Sequence, residues 1–432
     1  MAATALDMTG PRPHAASPVY AVYGHLDPHA LTLAEARERG ALHRQIPTDV
    51  LMALETGQPR LAEQALAHLR AARTQPLLGA VGFDDWWNTA LGVLNPDWAL
   101  APARRLVTDK ARLYETLRAG GVAVPAFRTG SLSATLLRFA VDNLGPRPVF
   151  KPATGAGSRG VYRYRADLDT EENLALYQQI LRAGHIDTAT PILATQYLGE
   201  HDAAVEISVE LIISAGRATH AVVHEKCTAT AVPPFLDAVM VCPPTDERII
   251  AALAQLPSLL DGIVAALELA NAVLHIEARL HLRRWHVLDI GVRPGAGLVA
   301  HAALAHTGID PRLAHSAASI GLPLAPESLE TARGAHPATA IACCYITPDH
   351  RDTVRLARHG ELADTLADAG DVLGWHLNVA ETRDAVYRPD AGISVGVGAG
   401  EVAVALSRLR SLVAPYEFAT PTRVNTETVA AQ

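Results

Sequence analysis

Two carboxylates point to metal chemistry. Glu277 stands in Val273-Leu274-His275-Ile276-Glu277-Ala278-Arg279, and Asp289 in the segment from Trp285 to Arg293. Residues two apart on a strand share a face. Positions 273, 275, 277 and 279 therefore form one row, and 285, 287, 289, 291 and 293 another. A hairpin with a tight loop at 282–284 centres its register on residue 283 and sets Glu277 directly against Asp289. Opposed Cβ atoms lie about 4.5–5.5 Å apart, where like charges destabilise a sheet. A shared divalent cation resolves the conflict, and hard Mg²⁺ takes one or two carboxylates with phosphate oxygens and water. The plainer alternative is a solvated hairpin whose carboxylates are neutralised by Arg279 or Arg284. The loop also lacks the Gly or Asn that a tight turn favours.

A second motif is basic. Lys151 ends the apolar strand Pro148-Val149-Phe150, and Gly155-Ala156-Gly157-Ser158-Arg159-Gly160 follows. The glycine spacing fits a dinucleotide fingerprint only when a helix comes next. Here Val161-Tyr162-Arg163-Tyr164 reads as a strand, so the segment is a hairpin loop whose N–H groups can fold over phosphates. The formal net charge is −8, which gives no bulk attraction for nucleic acid, so binding an anionic nucleotide needs a local cation such as Lys151. The other reading is a surface lysine beside a turn.

The elements needed to position these residues alternate along the chain. PVYAVYG (18–24) and PLLGAVGF (76–83) read as strands around a helix at 61–72, a small α/β domain over 1–107. Thr108 or Asp109 caps a helix that stops at Gly120-Gly121. Strands and one helix carry the Gly-rich loop to residue 197, and long strands with the metal pair occupy 198–329. A small α+β module fills 330–432. At 432 residues the chain has room for several domains. Four cysteines without metal or disulfide spacing, no apolar leader, and no apolar stretch long enough to span a membrane lead us to expect a cytoplasmic protein.

Several motifs in chain order resemble the ATP-grasp superfamily. DKARLYETLRAGGVAVP resembles its first lysine helix, and VFKPATGAGSRGV its second lysine and phosphate-covering loop. TQYLGEHDAAVEISVEL resembles its hinge and ribose-binding strand, and HIEARL…LDIGVRPGAG its metal strands and following arginine. The resemblance covers residues 75–330. EKCTATAVPPFLDAVMVCPP and the tail look most similar to L-amino acid ligases. The resemblance implies an α/β (α+β multidomain) ATP-grasp fold with a Rossmann-like pre-ATP-grasp N-terminal domain and a small C-terminal α+β module. It also implies ATP and Mg²⁺ (or Mn²⁺) as cofactors. Lys110 and Lys151 would hold the phosphates, and Gly157 and Ser158 would close over them. Gln196, Tyr197 and Leu198 would meet the adenine edge, and Glu206 the ribose hydroxyls. Glu277 and Asp289 would hold the metal, and Arg293 would stabilise charge on an acyl phosphate. Asp289 is one methylene shorter than the usual glutamate, and Gly291 stands where the family often has Asn.

The implied reaction joins a carboxylate to an amine, both small molecules and expected to be amino acids, in a chain compatible with a homodimer, with no nucleic acid or membrane partner expected. The alternatives are a carboxylating or formate-activating relative and a non-catalytic nucleotide-binding protein. Lys226 is balanced between a phosphate or substrate role and a structural salt bridge. His275 reads first as a structural strand residue, and His301, His306 and His315 do not share one helix face.

Overall fold

The computed structural model describes residues 20–23, 44–45, 67, 77–83, 85–95, 97–155, 158, 160–184, 186–199, 205–229, 237–296, 298–324, 340–346, 359–378 and 392–413. Strands β1 (Tyr20–Tyr23), β2 (Arg44–Gln45) and β3 (Leu77–Val81) form a small sheet in the order β2-β1-β3. β1 is antiparallel to both neighbours. A Rossmann-type sheet is parallel, so the Rossmann-like expectation is corrected for the described strands. Apart from residue 67, the helix read at 61–72 lies outside the described residues.

Three helices follow: α1 (Asp85–Leu94), α2 (Ala101–Thr108) and α3 (Lys110–Ala119). Asp109 separates the last two. Its backbone is extended, and its carboxylate accepts the N–H groups of Ala111 and Arg112 at 3.2 and 3.1 Å. Capping by Asp satisfies donors that the first turn leaves open. The Lys110 N–H donates to Ala153 O at 2.8 Å, which fastens the start of α3 beside the second lysine strand.

The next layer contains β4 (Phe127–Gly130), α4 (Ala134–Leu144), β5 (Val149–Pro152), β6 (Tyr162–Arg163), α5 (Thr170–Ala183) and β7 (Ile192–Thr195). Its sheet is antiparallel in the order β4-β7-β5-β6. Ser133 caps α4, and Asp169 with Glu172 forms a capping box on α5. The helical faces carrying Leu137, Tyr177 and Leu181 bury against Phe150, all fully enclosed.

The largest sheet begins with β8 (Val205–Ser214), β9 (Arg217–Ala229) and β10 (Asp237–Cys242). After α6 (Glu247–Ala252) and α7 (Leu256–Leu267) come β11 (Ala272–His281) and β12 (Arg284–Gly291). Helices α8 (Val299–Thr307) and α9 (Pro311–Ser319) lead to β13 (Ala340–Ile346). The last described elements are α10 (His359–Asp368), β14 (Val372–Asn378), β15 (Gly392–Ala399) and α11 (Val402–Val413). The order is β12-β11-β8-β9-β10-β13-β15-β14, so the C-terminal strands extend the central sheet. One face packs Ile207, Val209, Leu274, Ile276 and Trp285 with Leu256, Leu260 and Ile263 of α7. The helical run Glu247–Leu267 is long and apolar enough to cross a membrane, which corrects the expectation that no stretch reaches that length. One face of the run, with Ile249, Leu256, Leu260, Ile263 and Leu267, belongs to the main core, while Ile250 is exposed.

Candidate functional site

The site is built on the opposite face of β8, β9, β11 and β12. On β11 the site face shows His275, Glu277 and Arg279, while Ile276 and Ala278 point into the core. In the β8 register these three residues face Glu210, Ser208 and Glu206 respectively. β9 adds His224 opposite Ser208.

Glu277 pairs directly with Asp289 across β11 and β12. The loop differs from the one read in the sequence. It has two residues, Leu282 and Arg283, both in the left-handed region at φ 47° and 61°, the backbone of a type I′ hairpin turn without the residues that favour it. From His281↔Arg284 to Ala278↔Val287 the pairing is regular, and Leu288 is then an extra residue. This bulge reverses the alternation. Trp285 and Val287 face the core, not the row of Asp289, Gly291 and Arg293, which corrects the single row read from strict alternation. Bulged residues leave their ladder groups unpaired. Here Leu288 O accepts the Tyr114 hydroxyl at 2.8 Å and the Lys151 ammonium at 3.1 Å.

Each site carboxylate has a cation. Lys110 Nζ lies 2.6 Å from Asp289 Oδ2, and Lys226 Nζ lies 2.8 Å from Glu277 Oε1 and 3.0 Å from Glu206 Oε1. Arg279 also binds Glu206, through Nε at 2.9 Å. Arg293 pairs with Asp85 at the start of α1. Burial raises the Glu277 carboxyl, but the Lys226 charge and the His275 hydrogen bond outweigh it and hold the group well below its usual range. Glu206 behaves alike: burial opposes ionisation, and Lys226 and Arg279 restore it.

Lys151 is different. Among the described residues its ammonium meets only neutral oxygens, Leu288 O and the Tyr114 hydroxyl at 3.2 Å, and it lies 5.0 Å from the Tyr114 ring centroid. Burial lowers its pKa, against the pull of Asp289 and Glu277. At the floor, Glu210 takes His275 Nδ1 at 2.5 Å and the Gly295 N–H at 2.8 Å. Burial lowers the His275 pKa, but Glu210 outweighs it and lifts the imidazole to about 9. Ser208 Oγ and both ring nitrogens of His224 are buried without a hydrogen-bond partner among the described residues.

The remaining expected residues sit around this floor. Ser158 occupies the Gly-rich loop at φ 56°, and Gly157 lies outside the described residues. The Gln196 N–H is already donated to Ala126 O at 2.8 Å. Leu198 is buried. The Tyr197 ring has the Arg163 and Arg279 guanidinium groups 5.2 and 5.4 Å from its centroid. Glu206 is held by Lys226 and Arg279. Sequence reasoning left Lys226 undecided and did not select Asp85, Tyr114 or Glu210. The period-two polar residues of β8 (Glu206, Ser208, Glu210) in an otherwise apolar strand were the available signal for Glu210.

The donor set suits a hard divalent cation: two opposed carboxylates, with neighbouring lysines to share the phosphates that complete such a shell. The unpartnered Ser208 and His224 atoms mark a floor that calls for a polar occupant, since buried polar groups are normally satisfied.

No family model matches the chain, and no curated protein matches it. Solved structures do. An L-amino acid ligase from Bacillus licheniformis is 17 % identical, with 83 % of each chain covered and a TM-score of 0.60. N5-carboxyaminoimidazole synthase from Aspergillus clavatus, in complex with ADP and 5-aminoimidazole ribonucleotide, is 17 % identical over 76 % of this chain and 79 % of that one, with a TM-score of 0.56. Phosphoribosylglycinamide synthetase from Anaerococcus prevotii is 13 % identical over 82 % of this chain and 84 % of that one, with a TM-score of 0.54.

Proposed function

We propose that this chain, which has the ATP-grasp fold, is an ATP-dependent carboxylate–amine ligase acting on small molecules in the cytoplasm, with amino acids as the favoured substrates. One observation carries the reading: Glu277 and Asp289 are opposed on one face, each neutralised by a lysine, beside a third lysine whose partners are uncharged. The arrangement can exchange partners without a large change in local charge. When a nucleotide arrives with its cation, Lys110 and Lys226 can turn from carboxylate to phosphate. The freed Glu277 and Asp289 can then hold Mg²⁺, which when bound neutralises phosphate charge and orients the γ-phosphoryl group.

The chain's own part is positioning and charge stabilisation. A substrate carboxylate oxygen attacks the γ-phosphorus, the bond to the β–γ bridging oxygen breaks, and ADP leaves. An amine nitrogen then attacks the acyl carbon of the mixed anhydride, loses a proton, and expels phosphate. Lys151 and Lys110 hold the transferring phosphates. Arg293 faces the negative charge that develops on the acyl oxygen. Glu206 accepts the ribose hydroxyls, Gln196 to Leu198 border the adenine, and Gly157 and Ser158 cover the phosphates.

The test measures ADP and phosphate release with Mg²⁺·ATP across pairs of amino acids, with bicarbonate plus amines as a further arm. Release that needs both a carboxylate and an amine supports the ligase. Release driven by bicarbonate moves the chemistry to carboxylation, and no release in any arm rejects the ligase.

A further inference from the structure

Glu210 is a carboxylate buried on the site face of β8, its side chain 1 % exposed, between the apolar neighbours Val209 and Leu211. A buried ion pair adds little to stability over apolar residues of the same volume, so stability gives no reason for a glutamate at this position. Its two oxygens have separate tasks. Oε1 takes His275 Nδ1 at 2.5 Å, from the residue directly opposite on β11. Oε2 accepts the Gly295 N–H at 2.8 Å.

The peptide that donates this N–H carries the contact further. Its other end is Pro294 O, which accepts Arg293 Nη1 at 2.8 Å. A trans peptide unit is planar, with its N–H and C=O pointing in opposite directions. Holding the N–H on Glu210 therefore fixes where the carbonyl aims, and the carbonyl holds the guanidinium. Hydrogen bonds in such a chain polarise one another. The other terminal nitrogen of Arg293, Nη2, pairs with Asp85, so the guanidinium plane is gripped from both sides. Position 295 has to be glycine for this arrangement. A Cβ there would meet His275 Nδ1 at 2.6 Å and Glu210 Oε1 at 2.7 Å, and would push the peptide off the carboxylate. His275 in turn keeps Oε1 occupied, which leaves Oε2 for the peptide.

We infer that Glu210 is a positioning residue for Arg293, acting through the Pro294–Gly295 peptide. The inference rests on the ligase reading for the task of Arg293 and adds the group that aims it. A cation that meets charge developing on an acyl oxygen acts by its direction as well as its presence. A misplacement of about 1 Å can cost on the order of a hundredfold in rate.

The experiment follows Arg293 in two ways. In ligand-free protein labelled with ¹⁵N-arginine, a guanidinium held at both terminal nitrogens gives resolved Nη1 and Nη2 resonances, assigned by their absence from Arg293→Lys. In turnover, ADP release gives kcat and KM separately. Glu210→Met removes the acceptor. Gly295→Ala disturbs the same contact from the other side and keeps the buried pair, so it decides the matter alone if Glu210→Met does not fold. Glu210→Gln is the conservative variant: its amide oxygen can still accept the Gly295 N–H while its NH₂ faces a neutral His275. Glu210→Met and Gly295→Ala are expected to merge the two resonances and to lower kcat about tenfold to a hundredfold, with KM for Mg²⁺·ATP within about twofold of wild type. Glu210→Gln is expected to keep the resonances resolved and to recover most of kcat. Resolved resonances with wild-type kcat in Gly295→Ala and in folded Glu210→Met overturn the inference. Damage in Glu210→Gln equal to that in Glu210→Met also overturns it, because the acceptor for the Gly295 N–H would then not be what matters. No ADP release by the wild type with any amine–carboxylate pair rejects the ligase reading instead. The resonances are read without ligand and still decide whether Glu210 aims Arg293, so the two failures are distinguishable.

Discussion

Lys151→Met separates binding from stability at this site. Methionine keeps most of the chain length and volume but removes the ammonium. In the folded protein that ammonium donates to Leu288 O at 3.1 Å and to the Tyr114 hydroxyl at 3.2 Å. Neither acceptor is abandoned when it goes, because Tyr114 still donates to Leu288 O at 2.8 Å. Two hydrogen bonds from a charged donor are lost, each worth about 1.5–3 kcal/mol. Against this, a buried ammonium with no carboxylate partner no longer has to be desolvated, a cost of the same order. The net change in stability is therefore about 1 kcal/mol or less, of either sign. Nucleotide binding has no such compensation. One charge-assisted phosphate contact of about 1.5–3 kcal/mol is lost, which weakens ADP about ten- to hundredfold. Calorimetric titration with Mg²⁺·ADP gives the affinity, and urea unfolding of the apo protein gives the stability. An ADP affinity within twofold of wild type, together with a stability loss above about 3 kcal/mol, would refute the reasoning and make Lys151 a structural residue.

Two further expectations concern the scaffold. His224 and His315 are fully enclosed; burial pushes their pKa values down to about 4 and about 3, with the Arg104 charge adding to the effect at His315. Above the unfolded value near 6.5 both are neutral folded or unfolded. As pH falls below it, the unfolded chain takes protons that the folded one refuses. Stability should therefore drop by up to about 1.4 kcal/mol per pH unit for each histidine. His275, raised to about 9, is already charged in the fold, so it adds stability as its unfolded imidazole protonates near pH 6.5 and offsets part of this slope there. Urea midpoints from pH 7 to 5 test this, and a flat profile contradicts the neutral assignment. Gly160→Ala should destabilise by about 1–3 kcal/mol. Its φ is +70°, and a Cβ would meet Ile186 Cδ1 at 2.7 Å and Pro152 Cγ at 2.9 Å. An unchanged melting temperature would refute the packing role.

The pairing of Glu277 with Asp289 was legible in the sequence, but for an incomplete reason. A three-residue loop without a bulge and a two-residue loop with one extra residue at 288 give the same pair. Side-chain pattern alone does not separate them, because Leu288 resembles any apolar strand residue. The capping of α3 was readable because Asp109 acts within its own turn. The antiparallel join of β1 and β3 was not, since strand direction depends on the connection and not on composition. Lys226 stayed undecided because its two carboxylates lie 20 and 51 positions away. Asp85 is farther still, 208 positions from Arg293, and only the folded chain brings the two together.

Exposed loops usually accept insertions and deletions, and Leu282, 82 % exposed at the tip of the β11–β12 hairpin, looks like such a place. The extra residue at 288 makes the tip intolerant instead. The two-residue turn fixes the phase of β12, the bulge resets it once, and both settings are used up by the time Asp289 is reached. A single residue inserted between 284 and 285, inside the paired strand, has no second bulge to absorb it, and a one-residue slip turns every following side chain to the other face. Trp285 and Val287 would then leave the core. The strand that leaves this two-residue loop is thus a part of the surface on which inserted residues are least free to act.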